Sequence, residues 1–239
     1  MKLIKCPTPE AVAQQAAQFV IERINAKPAA VLGLPTGGTP LGMYAELAKA
    51  VREKRVDMRD ITTFNLDEYC GLPPGDPQSY DVFMRSNFYM PCGLNPPQSH
   101  IPNGNAADPD AEALAYDAAI RAAGGIDLQV LGIGHNGHIG FNEPGTPPDS
   151  RTQAVQLTDK TRQANARFFS TIDDVPTRAI TMGIGTILEA REILLLVNGA
   201  DKAEILAATL RGPVTPDNPA SFLQNHPCVT VIADAAAMP

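Results

Sequence analysis

Short hydrophobic runs alternate with helix-period patterns along almost the entire chain. The runs fall at 30–34 (AVLGL), 61–66 (ITTFNL), 127–132 (DLQVLG), 179–183 (AITMG), 193–197 (ILLLV) and 228–233 (CVTVIA). Several are apolar at nearly every position, as strands covered on both faces should be. Helices are predicted over 8–26, 40–55, 79–89, 108–123, 201–211 and 217–224. Strand and helix in alternation make βαβ units. They predict a doubly wound, mostly parallel α/β sheet with helices on both faces. No repeat, low-complexity tract or linker interrupts the series, so residues 1–239 are expected to form one domain.

Two stretches break the pattern. Residues 71–77 (GLPPGDP) and 142–150 (NEPGTPPDS) are dense in proline and glycine and should be loops. Each directly follows groups able to do chemistry. In open α/β sheets, ligands sit beyond the carboxyl ends of the strands, where such loops gather.

Composition narrows the classes. The 239 residues carry a net charge of −7 from 19 basic and 26 acidic side chains, which disfavours a nucleic-acid surface. An anionic small molecule stays compatible, because a few cations can be focused in one cleft. The N-terminus, MKLIKCPTPEAVAQQ, has no long apolar run, so neither a secretory signal nor a membrane span is expected. Cys6, Cys70, Cys92 and Cys228 lack paired spacing and read as reduced thiols of a cytoplasmic protein. Cys70, near a candidate site, reads as a packing residue rather than a nucleophile.

Three loops carry the candidate chemistry. In PTGGTP (35–40), Gly37 and Gly38 allow a tight turn after a strand. Thr39 is expected to cap a helix beginning at Leu41, with Pro40 in its first turn. Free N–H groups and the helix dipole there favour a phosphate over a plain connector. In FNLDEYCGL (64–72), Asp67 and Glu68 stand where a strand ends. A proton-abstracting carboxylate with a pKa raised by burial and a solvated turn acid are equally good readings of that fragment.

The third loop, LGIGHNGHIGFNEPG (131–145), packs five glycines around His135, His138 and Glu143. It contains a formal G-x-G-x-x-G from Gly132 to Gly137. The HIGFNEPGTPP segment beyond Gly137 cannot start a clean helix, so a pyrophosphate would lack its helix N-terminus. Two histidines and a glutamate also raise a metal site, but a further ligand is missing. A histidine oriented by a carboxylate for proton transfer is the better reading.

Taken together, LPTGGTPLGMY, FNLDEYCGL, GIGHNGHIGFNEPG, the RFF at 167–169 and the lysine of GADKAEIL resemble the glucosamine-6-phosphate deaminase family, also described as isomerases. The resemblance covers nearly the whole chain. It implies a Rossmann-like fold, no metal or organic cofactor, and conversion of glucosamine 6-phosphate and water into fructose 6-phosphate and ammonia. By motif, Asp67 resembles the acid/base that takes the C2 proton and returns one to C1. His138 resembles the group that opens the sugar ring, with Glu143 orienting it. Gly37, Gly38, Thr39, Arg167 and Lys202 are similar to the residues that hold the 6-phosphate, a dianion that wants backbone donors and cations. Without that context, Arg167 reads as a surface cation and Lys202 as a partner of Glu204 or solvent.

Two departures from the family pattern bear on activity. Many members, above all the larger allosteric ones, have Asp where this chain has Asn136, so a lower kinetic pKa for ring opening is expected here. The allosteric members also have basic residues after the segment matching Ser150–Thr152, where this chain reads QAVQL (153–157). Activation by N-acetylglucosamine 6-phosphate is therefore not expected. No oligomer interface is indicated.

Galactosamine 6-phosphate differs from glucosamine 6-phosphate by one hydroxyl contact that the motifs do not identify. A 6-phosphogluconolactonase shares the Gly-Gly-Thr-Pro and Gly-His loops, but HIGFNEPG and DEYCGL fit it less well. A sugar-phosphate sensor of a transcriptional regulator would need a helix-turn-helix for which there is no spare length.

Overall fold

The computed structural model describes residues 1–94 and 96–238. Among them, seven strands form one parallel sheet: β1 (Lys2–Cys6), β2 (Val31–Leu34), β3 (Thr62–Asn65), β5 (Ser99–His100), β6 (Leu128–Leu131), β9 (Glu192–Val197) and β10 (Val229–Asp234). Their spatial order is β1-β10-β9-β6-β2-β3-β5. The hydrophobic runs are explained by burial on both faces. Leu32, Leu34, Leu128, Val130, Leu194 and Leu196 point into one core, with Ala16, Val20 and Ile24 of α1 (Pro9–Ala26) and Met43 and Leu47 of α2 (Gly38–Arg52). Their neighbours Val31, Leu131, Ile193, Leu195, Val229 and Val231 point into the other, with Tyr116 and Ile120 of the helix Pro109–Ala122. The alternation of side chains along each strand thus builds two cores from one sheet.

The run at 179–183 belongs elsewhere. β8 (Arg178–Thr181) pairs antiparallel with both β4 (Asp67–Tyr69) and β7 (Gln153–Gln156) in a separate three-stranded sheet. Its apolar side chains still lie in the interior, so the pattern alone does not distinguish the two sheets.

The helices also depart in detail. The segment at 79–89 is the short helix Tyr80–Met84 followed by a π-turn, Arg85–Tyr89. Residues Pro219–Asn225 are 3-10. β1, β5 and the helices Asp159–Asn165 and Ile184–Leu188 are too short or too polar to stand out in the sequence. No described helix is long and apolar enough to cross a membrane.

Candidate active site

After β2 the chain lays down β3 and β5 on one side, then returns to place β6 against the other side of β2. That reversal is a topological switch point, where a crevice opens beyond the carboxyl ends of the strands. The segments that follow β9, β6, β2 and β3, four neighbours in the sheet, carry the candidate residues other than Arg167. They are Lys202; Asn136, His138 and Glu143; Gly37–Thr39; and Asp67.

In the loop after β6, Asn136 stands between His138 and Glu143. The Asn136 Nδ2 donates to Glu143 Oε2 at 2.6 Å, and its Oδ1 lies 2.7 Å from His138 Nδ1. A carboxylate only accepts and an amide oxygen only accepts, so His138 Nδ1 carries the proton in this arrangement. His138 Nε2 is left as the basic nitrogen. Glu143 Oε1 is 3.7 Å from Nδ1, so the glutamate acts on the ring mainly through the asparagine. Burial lowers the His138 pKa. Glu143 opposes that effect, and the charges of Lys202, His135 and Lys160 reinforce it. The ring needs Gly134, where a Cβ would collide with the His138 imidazole.

Asp67 lies at the start of β4 with 6% of its surface exposed. Burial, with Glu68 adjacent, pushes its carboxyl up to about 8. The solvated-turn reading of this fragment is therefore incorrect. Glu68, 5% exposed, accepts from the backbone N–H groups of Tyr69, Tyr80 and Asp81 at 2.7, 3.0 and 2.8 Å. It is spent on tying β4 to the helix beginning at Tyr80. The histidine loop reaches Asp67 through Thr181, which pairs with Asp67 across the small sheet and accepts from the Phe141 N–H at 3.1 Å. A Cβ on Gly140 would sit 3.5 Å from Asp67 Oδ2, so backbone passes close beside the carboxylate. Tyr69, Tyr80, Phe141 and Phe169 pack as an aromatic group next to it.

The expectation for the glycine loop needs correction in its cap. The helix begins at Gly38, and Gly37 is its N-cap at φ +99°, a conformation open to glycine. Thr39 lies inside the first turn and makes no cap bond; two consecutive glycines supply the turn instead. Gly37 and Gly38 are exposed with open space beside them, so the orphan N–H groups of Gly38 and Thr39 are accessible.

Lys202 is half-buried and makes no ion pair among the described residues, Glu204 included; burial lowers its pKa. Arg167 is exposed, with its guanidinium 4.7 Å from the Phe168 ring centroid. No hydrogen bond or ion pair ties it to the other candidates among the described residues. The two histidines do not converge. His135 turns outward to Asp201, Nε2 to Oδ2 2.6 Å, and no group of three potential metal ligands occurs among the described residues. Cys70 is half-buried and burial raises its thiol, in keeping with a packing role.

Two contacts are not visible in the sequence. One is the role of Glu68. The other is Thr161, whose hydroxyl donates to Glu143 Oε1 at 2.6 Å from the helix Asp159–Asn165. A Thr-x-x-Thr pattern (158–161) marks a helix start, but not what the second hydroxyl touches.

Residues 7–232 match the sequence family of glucosamine-6-phosphate isomerases and 6-phosphogluconolactonases. A glucosamine-6-phosphate deaminase of Rhodopirellula baltica is 52% identical over 231 residues, covering 97% of this chain and 92% of its own. Glucosamine-6-phosphate deaminase 1 of Bacillus subtilis is 48% identical over 99% of this chain and 98% of its own. The solved structure of a monomeric glucosamine-6-phosphate deaminase superposes with a TM-score of 0.96 at 48% identity, over 99% of this chain and 98% of that one. A 6-phosphogluconolactonase from Trypanosoma brucei shares the fold at a TM-score of 0.76 and 19% identity, over 99% and 97% of the two chains. Fold and sequence together define an α/β enzyme that acts on a small sugar phosphate. The chain belongs to the glucosamine-6-phosphate isomerase/6-phosphogluconolactonase family, and its relatives at about half identity carry the deaminase name.

Proposed function

We propose that the protein converts glucosamine 6-phosphate and water into fructose 6-phosphate and ammonia, in the cytoplasm, with one chain supplying the whole site. The observation that carries the reading is the fixed tautomer of His138. With Nδ1 committed to Asn136, its Nε2 is a neutral base, on a loop that also lines Asp67. The similarity to named deaminases supports the choice of substrate.

The 6-phosphate is held by the N–H groups at the start of α2 (Gly37, Gly38, Thr39), by Lys202 and by Arg167. His138 Nε2 takes the proton of the anomeric hydroxyl and returns one to the ring oxygen, which breaks the C1–O5 bond. Asp67 then removes the C2 proton while a proton passes from the substrate ammonium to O1, forming an enolamine, and Asp67 delivers its proton to C1. That leaves a C2 ketimine. Water adds to it, and the resulting carbinolamine expels ammonia, giving the ketose. Asp67 suits this task because burial holds its pKa close to neutral, where a base retains driving force and still returns its proton.

The test is turnover of glucosamine 6-phosphate by purified protein, with galactosamine 6-phosphate and 6-phosphogluconolactone alongside. Equimolar fructose 6-phosphate and ammonia from the first substrate, well above either alternative, is the expected result. Lactone hydrolysis without deamination would contradict it.

A further inference from the structure

We propose that Thr161 is a positioning residue for ring opening, its hydroxyl holding Glu143 off His138 when the helix Asp159–Asn165 is docked. The proposal rests on reading His138 as the ring-opening base.

Glu143 is gripped at both oxygens. Oε2 accepts from Asn136 at 2.6 Å and Oε1 from Thr161 at 2.6 Å. Thr161 is itself set from behind: the Thr158 hydroxyl donates to it at 2.9 Å, and Thr158 caps the helix by accepting from the Thr161 N–H at 3.1 Å. One continuous path therefore runs from the start of this helix to the imidazole. Of its links, only the Thr161–Glu143 bond crosses between the helix and the histidine loop.

The crossing bond decides where the negative charge sits. Oε1 stands 3.7 Å from His138 Nδ1, beyond hydrogen-bond reach, while its charge is spread over two donors. Without the Thr161 hydroxyl, Oε1 is free to swing to Nδ1 and accept from it directly. A direct carboxylate contact favours imidazolium over imidazole. The other charges facing the ring are Lys202 from the turn after β9, His135 from its own loop, and Lys160 from the same helix; all three oppose protonation. Docking of the helix thus brings two neighbouring residues, Lys160 and Thr161, that keep His138 neutral.

The test is the titration of the four histidine rings by NMR in the substrate-free protein, with His138 assigned by its loss in His138→Gln. Thr161→Val should raise the His138 midpoint by about half a unit or more, and Thr161→Ser should return it to the wild-type value. Whether valine loosens the helix or only removes the hydroxyl, the midpoint must rise. An unchanged midpoint in Thr161→Val, or an equal rise in Thr161→Ser, would overturn the proposal. Because no substrate is present, the outcomes separate. A shifted ring in a protein that deaminates nothing refutes the functional reading alone; an unshifted ring in an active enzyme refutes the role of Thr161 alone.

Discussion

Asp67 and Glu68 are consecutive buried carboxylates in opposite situations: Glu68 accepts three backbone N–H bonds, and Asp67 accepts none among the described residues. They project to opposite faces of one short strand, as successive strand residues must. One is fixed by the helix start at Tyr80. The other is left desolvated and reactive.

The first prediction concerns Asp67. Proton abstraction needs its carboxylate, which burial pushes up to about 8. After correction for the substrate's own amine, log kcat/KM should fall with unit slope below about 8, and more steeply once His138 also protonates. A profile flat down to the ordinary carboxylate range would refute that assignment.

The same burial has a stability consequence. An acid whose folded pKa lies above its unfolded value binds more protons when folded, so stability is lost as pH rises between the two values, here from about 4 to about 8. Asp67→Asn removes this liability. Its Tm should exceed wild type most above pH 8, by about 3 °C per kcal/mol recovered, and the gain should vanish near pH 4. A variant less stable than wild type at pH 8 would contradict it.

Burial raises the Glu68 pKa too, but its three backbone bonds make neutralising it costly. Glu68→Gln places an amide N–H₂ against backbone donors and leaves buried groups unpaired, at a cost of about 1–3 kcal/mol. Denaturant unfolding should show that loss. An unaltered midpoint would mean that the three bonds are dispensable.

Asn136 passes the influence of Glu143 to His138 without adding charge. Asn136→Asp places a carboxylate 2.7 Å from Nδ1 and should raise the His138 midpoint, moving the lower break in the pH–rate profile upward. Coincident profiles would refute the prediction. A related expectation concerns regulation: β7 reads QAVQ and lacks the cations that the family resemblance ties to activation, so N-acetylglucosamine 6-phosphate should leave a hyperbolic substrate curve unchanged.

The phosphate cations should separate binding from chemistry. Lys202→Ala and Arg167→Ala should raise KM for the phosphorylated substrate by about tenfold or more, because charge-assisted bonds are worth roughly 1.5–3 kcal/mol each. Reduction of unphosphorylated glucosamine turnover to the same degree would remove both residues from phosphate binding.

Much of this architecture is legible in the sequence. The strands buried on both faces announce themselves as apolar runs, and the loops after β2, β3 and β6 carry glycines and proton-moving groups where a switch point demands them. β8 is legible as a strand but not as part of a second sheet, since burial against the aromatic group around Tyr69 leaves the same signature as burial in the main sheet. The helix cap lies at Gly37 rather than Thr39 because paired glycines make the turn by themselves. Asp67 and Glu68 look alike as letters; only tertiary hydrogen bonds tell them apart. Thr161 is silent for the same reason, its partner lying 18 residues away in the chain.

Asp67, as the carrier of the carbon-bound proton in an amino-sugar phosphate deaminase, is open to a direct measurement. Metal-free wild type and Asp67→Asn are incubated with glucosamine 6-phosphate, and fructose 6-phosphate and ammonia are followed together. Wild type should yield equal amounts of both products, and the variant should be slower by about 10²–10⁴-fold. Unequal products, or a variant as fast as wild type, would contradict that role.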